Sequence, residues 1–140
     1  MTRYEEFLAE YDNQLLIEER NLINDGLYCD GVIWINRNLT SAEKLAVAAE
    51  EIGHYATSSG DILDQKDILS QRQELQARRW GYRKIAPPER IRSAIDDGYT
   101  TISDVAEYLD VDEQFLVSAL TYYVQSGEWS PETLVKDRNL

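Results

Sequence analysis

LTSAEKLAVAAEEIGHYATSSGD, residues 39–61, is the stretch from which the rest of the chain can be read. Thr40-Ser41-Ala42-Glu43 fits a capping box, in which the Thr hydroxyl and the Glu carboxylate each satisfy an exposed backbone donor at a helix start. The spacing then predicts a helix over 41–57 that stops before Ser58-Ser59-Gly60. Leu45, Ala48, Ala49, Ile52, Tyr55 and Ala56 form one apolar stripe on it. Glu43, Val47, Glu50 and His54 line the opposite side, with Glu51 at the border. Glu50 and His54 stand four apart, so their side chains can converge on one metal ion. Glu51 holds the place of the general base in the HExxH metalloprotease pattern. Glu50-Glu51-Ile52-Gly53-His54 is thus that pattern with Glu50 in place of the first histidine. The plain alternative is a solvated helix face.

A loop from Gly60 to about Gln65 leads into a second predicted helix, 66–85, which Pro87-Pro88 ends. On that helix Glu74, Ala77 and Gly81 share a face. Small residues let a neighbouring helix approach closely, which would bring Glu74 to an ion held by the first helix. The alternative is that Ala77 and Gly81 merely pack and Glu74 pairs with Arg78 four residues on. Beyond the prolines three short helices are expected, at 89–97, 102–109 and 113–126. The last two have the spacing of a helix-turn-helix. The would-be recognition helix carries no Lys or Arg and follows Asp104, Glu107, Asp110 and Asp112, whereas a helix entering the major groove needs donors to phosphates and bases. That unit therefore reads as a packing or protein-recognition element, and the tail from Gly127 as loose.

Upstream, Tyr4, Phe7, Leu8, Tyr11, Leu15 and Leu16 recur mostly at three- and four-residue steps and predict an amphipathic helix over 3–18. Asn24-Asp25-Gly26 punctuates the chain. In GLYCDGVIWINRNL the Asp30-Gly31 pair supplies the positive φ angles of a tight two-residue turn, between β-branched and aromatic flanks, and predicts a β-hairpin. Cys29 is then a small strand residue.

The chain has 140 residues, 43% hydrophobic and 29% charged, enough for a core without disulfide or metal staples. One cysteine excludes a disulfide framework and a multi-cysteine zinc site. The acidic N-terminal residues do not resemble a signal peptide and no 18-residue apolar run exists, so a cytoplasmic protein with no membrane contact is expected. The net charge of −12 opposes direct nucleic-acid binding unless the bases cluster. They do cluster: between 66 and 92 eight bases face three acids. That stretch reads as a solvated face pairing with the acidic remainder, or as a contact for a partner.

The hairpin GLYCDGVIWINRNL, the stretch LTSAEKLAVAAEEIGHYATSSGDILDQ and the later QELQARRWGYRKIAPP together resemble the ImmA/IrrE family of zinc metallopeptidases, and most of all its short phage and prophage members from Gram-positive bacteria. The resemblance covers about residues 20–125. It implies a minimal zincin-like metalloprotease domain, so with the elements read above a mainly α fold with a small sheet is expected: that domain at 1–87, a helix-turn-helix-like unit at 88–126 and a tail at 127–140. It further implies Glu51 as general base, His54 as the second histidine ligand with Glu50 in the place of the first, and Glu74 as the glutamate ligand of the following helix. Glu74, Ala77, Trp80-Gly81 and Pro87 match the family's pattern in that order.

With a single histidine a two-histidine site is impossible, so the expected ligands are Glu50, His54 and Glu74, with Asp61 or Asp64 as additional donors. One imidazole and two carboxylates form a harder set than usual. It should bind Zn²⁺ less tightly and accept Mn²⁺ or Mg²⁺. The implied function is a metal-dependent endopeptidase of a phage or mobile element, acting on a partner repressor to relieve repression. The alternative is a catalytically inactive antirepressor that binds the same partner on the same scaffold.

Overall fold

Thr2 opens the first helix with a capping box: its backbone N–H donates to Glu5 Oε1 at 2.8 Å, and its hydroxyl accepts from the Glu5 N–H at 3.0 Å. The computed structural model describes residues 1–57 and 67–130. Its elements are α1 (Arg3–Ala9), β1 (Leu16–Arg20), β2 (Gly26–Cys29), β3 (Val32–Asn36), α2 (Ser41–Thr57), α3 (Asp67–Ile85), α4 (Pro88–Asp96), α5 (Ile102–Leu109) and α6 (Glu113–Gln125). The fold is mainly helical with one small sheet, as expected. Contacts divide the chain into two compact units, Met1–Gly81 and Tyr82–Leu140.

In the first unit the helix expected over 3–18 forms only over Arg3–Ala9. α1 stops at Ala9, a turn follows in which Gln14 and Leu15 both donate to the Tyr11 carbonyl, and the chain enters β1 at Leu16. Asp12 and Asn13 favour turns because their side chains compete with the helical backbone for hydrogen bonds. Leu16, which extends the apolar spacing, belongs with Ile17 to a strand. β1 pairs parallel with β3, Leu16 opposite Val32, and the sheet order is β1-β3-β2.

The hairpin is formed as expected. Asp30 and Gly31 both take positive φ (47° and 83°), and β2 runs antiparallel to β3. Ile33 and Ile35 of β3 are fully buried. Their cross-strand neighbours Tyr28 and Gly26 share that inner face, whereas Trp34 and Leu27 share the outer one. Arg20 lies over the Trp34 ring at 5.0 Å.

Glu19 ties three elements together, accepting from the Tyr4 hydroxyl and from Lys44 Nζ, both at 2.9 Å. Partial burial pushes its carboxyl up, but these two donors outweigh it and hold Glu19 below the usual carboxylate range. Phe7 and Tyr11 pack edge-to-face, with the Trp80 ring 6.4 and 6.3 Å from them.

The second unit contains the last turn of α3 with α4, α5 and α6. Its core holds Ile85, Ile91, Val105, Leu109, Leu116 and Tyr123, and the Tyr123 hydroxyl donates to the Ala86 carbonyl at 2.9 Å. Pro88 starts α4, where its missing N–H costs nothing. Asp110 closes α5 in the left-handed conformation. Arg83 Nη1 donates to Glu128 Oε1 at 2.7 Å, and Arg92 stacks over Trp129 at 5.1 Å. The tail expected to be loose from Gly127 is held at its start, where Trp129 is buried and Glu128 pairs with Arg83; residues 131–140 and the expected loop from Gly60 to about Gln65 lie outside the described residues. Among the described residues no helix is long and apolar enough to cross a membrane.

Candidate metal centre

α2 begins with the capping box anticipated from its sequence: the Thr40 N–H donates to Glu43 Oε1 at 2.8 Å, and the Glu43 N–H donates to Thr40 Oγ1 at 3.1 Å. Leu45, Ala48, Ala49 and Ile52 are buried, so the apolar stripe does face the core, although Ala56 at its end is exposed. This orientation leaves Glu50 and His54 one turn apart on a face open to α3.

Close helix approach brings Glu74 to that face. A Cβ on Gly53 would land on the Ala77 backbone, and a Cβ on Gly81 would lie 3.2 Å from the Ala49 Cβ. Two glycines and two alanines thus remove the side-chain layer between α2 and α3. Glu74 Oε2 lies 3.0 Å from His54 Nε2. One donor atom each from Glu50, His54 and Glu74 lie within 4.8 Å of one another, the one such group among the described residues. Arg78 closes the cluster, its Nε 3.5 Å from Glu50 Oε1 and its Nη2 4.0 Å from Glu74 Oε1. The metal-ligand spacing and the Glu74–Arg78 pairing, alternatives in the sequence, therefore coexist.

Glu51, at the border of the apolar stripe, is part-buried. β2 covers it, and a Cβ on Gly26 would come 3.2 Å from the Glu51 Cγ and 2.5 Å from the Val47 Cγ1. Asn24 and Asp25 make the break between β1 and β2, as expected, while Gly26 already starts β2, and its missing side chain is what lets the strand lie against α2. Burial first, then the charges of Glu50 and Glu74, push the Glu51 carboxyl up to about 7. Glu50 is also raised, by burial and by sharing a hydrogen bond with Glu74, against the pull of Arg78 and His54. The Tyr28 ring lies parallel to the His54 imidazole, tilted 6° with centroids 6.5 Å apart. Nothing in the local sequence pointed to Gly26 or Tyr28. Their signal is the hairpin register, which sets alternate β2 residues on the Ile33 face.

The donor set suits a divalent cation. Donors about 2.1 Å from one tetrahedral ion stand about 3.4 Å apart, so the widest separation in the cluster closes by about 1 Å when side chains rotate onto an ion. Three protein donors would leave a coordination position free, as in catalytic rather than structural sites. Asp61 and Asp64 lie outside the described residues. No curated protein and no solved structure matches the chain. A small sheet laid over a helix that carries a degenerate HExxH run, with a glutamate delivered from the next helix, is the arrangement of a zincin-like metallopeptidase domain. The IrrE N-terminal-like domain, Peptidase_M78, matches residues 4–121, from α1 into α6, and the chain belongs to this ImmA/IrrE family.

Proposed function

We propose that the chain is a metal-dependent endopeptidase in which Glu50, His54 and Glu74 hold the ion and Glu51 is the general base. The convergence of those three side chains, with Glu51 held beside them under β2, carries the reading. A divalent ion bound there supplies Lewis acidity to a scissile carbonyl. Glu51 takes the proton of the attacking water and returns it to the leaving amine. Partial exclusion of water by β2 strengthens the electrostatics around that carboxylate. Two carboxylate ligands leave less positive charge on the ion than a two-histidine set would, so turnover is slow and Mn²⁺ is accepted beside Zn²⁺. The family supports a protein substrate. From the resemblance to phage and prophage members we infer that it is a transcriptional repressor whose removal relieves repression. The residues of this chemistry all lie in the unit Met1–Gly81.

One observation favours a second reading, a non-catalytic antirepressor. Arg78 places a cation of the chain's own beside both carboxylates of the cluster. Glu51→Gln separates the two. If the chain is a protease, this substitution abolishes repressor cleavage in an electrophoretic assay while folding and repressor binding persist. If it sequesters the repressor, derepression is unchanged. A variant that still cleaves removes Glu51 from the mechanism.

A further inference from the structure

Arg78 stands one helical turn beyond Glu74, and its guanidinium reaches both carboxylates of the candidate centre. Nε lies 3.5 Å from Glu50 Oε1 and Nη2 lies 4.0 Å from Glu74 Oε1. The other Glu74 oxygen faces His54 Nε2. These separations exceed the 2.7–2.9 Å or so of a charge-assisted hydrogen bond, so the guanidinium is held by its charge more than by directed bonds. Its side chain is half exposed (53%), with a free path to solvent. The ordinary reading of such a group, a surface ion pair worth little, fails on one point: two of the three donors that would bind an ion are the groups it contacts.

On the reading of this cluster as a metal site, we propose that Arg78 is a tethered cation that competes with the divalent ion for Glu50 and Glu74, and so sets the metal concentration at which the site fills. Without an ion, Arg78 supplies the positive charge that both acidic side chains face. An entering dication takes over that role and meets the guanidinium as a like charge, so Arg78 must swing out for the site to load. The competition is electrostatic, and because Arg78 is half exposed, salt weakens it.

The test is metal affinity, read without any peptidase assay. Wild type, Arg78→Gln, Arg78→Lys and the Glu50→Ala/His54→Ala double variant are titrated with Mn²⁺ and Zn²⁺ against a chelating indicator, with circular dichroism as the check on folding. Removing a positive charge beside a dication should tighten binding about tenfold in Arg78→Gln. Arg78→Lys keeps the charge and stays near wild type, and the wild-type affinity rises relative to Arg78→Gln in high salt. Equal affinity in wild type and Arg78→Gln, or weaker binding in Arg78→Gln, overturns the competition and leaves the metal site standing. No binding by either, or binding that survives the double substitution, overturns the metal site and the proposal together.

Discussion

Gly53→Ala tests the packing that delivers Glu74 to His54. The added methyl lands on the carbonyl oxygen of Ala77, with the Ala77 carbonyl carbon and Cα only 3.0 and 3.1 Å away. Backbone in the middle of α3 has no rotamer to change, so the two helices must part, and overpacking of this kind costs about 1–3 kcal/mol. Against this, alanine favours a helix interior over glycine by about 1 kcal/mol. The net loss is about 1 kcal/mol, which lowers the melting temperature by about 4 °C in a chain of this size. Gly81→Ala is the matched control. Its nearest contacts are the Ala49 Cβ at 3.2 Å and the Ala49 carbonyl group at 3.3 Å, which a shift of a few tenths of an ångström relieves. The same helix preference then leaves Gly81→Ala near or slightly above wild type. Thermal denaturation followed by circular dichroism ranks the three proteins, and the indicator titration should show weaker metal binding in Gly53→Ala alone, as His54 moves off Glu74. A Gly53→Ala protein about 1 kcal/mol more stable than wild type, the gain expected where the methyl meets nothing, would refute the close approach.

Gly26→Ala should cost about 1–3 kcal/mol and reduce cleavage, because its methyl meets the branched Val47 side chain, stiff in a helix, and the Glu51 stem; unchanged stability and activity would show that β2 does not press on α2. Tyr123→Phe leaves the Ala86 carbonyl without its buried donor and should lower stability by about 1–2 kcal/mol in urea denaturation. Glu128 is held down to about 2 by the Arg83 guanidinium and the Ser126 hydroxyl. Because its pKa is lower folded than unfolded, its stabilising contribution is complete above about pH 4.5 and fades as the pH falls toward 2. Glu128→Gln should therefore lower the melting temperature near neutrality and converge on wild type as the pH falls toward 2, which flattens the profile between about 4.5 and 2.

The parts of the fold that depend on neighbours in the chain were legible in the sequence: the capping box at Thr40, the Asp30-Gly31 turn, the apolar stripe of α2 and the stop at Pro87-Pro88. β1 was not, because Leu15 and Leu16 continue the spacing of Tyr4, Phe7 and Tyr11, and its pairing with β3 is parallel and non-local. The same division runs through the candidate site. Glu50 and His54 meet by helix periodicity alone, and Ala77 and Gly81 hinted at how Glu74 would arrive. The cover over Glu51 and the reach of Arg78 to Glu50 come from other elements, and no spacing along one helix encodes them.

The sheet order carries a consequence for how the chain is made. β3, the last of the three strands in sequence, is the one to which both others pair. During synthesis the segment Leu16–Arg20 emerges first and has no sheet to join until residue 36 has followed it. Its composition suits that wait: Glu18, Glu19 and Arg20 follow the apolar pair, and charges on an unpaired strand discourage pairing with another chain. The charges that leave β1 an indifferent strand on its own keep it available for the neighbour made after it.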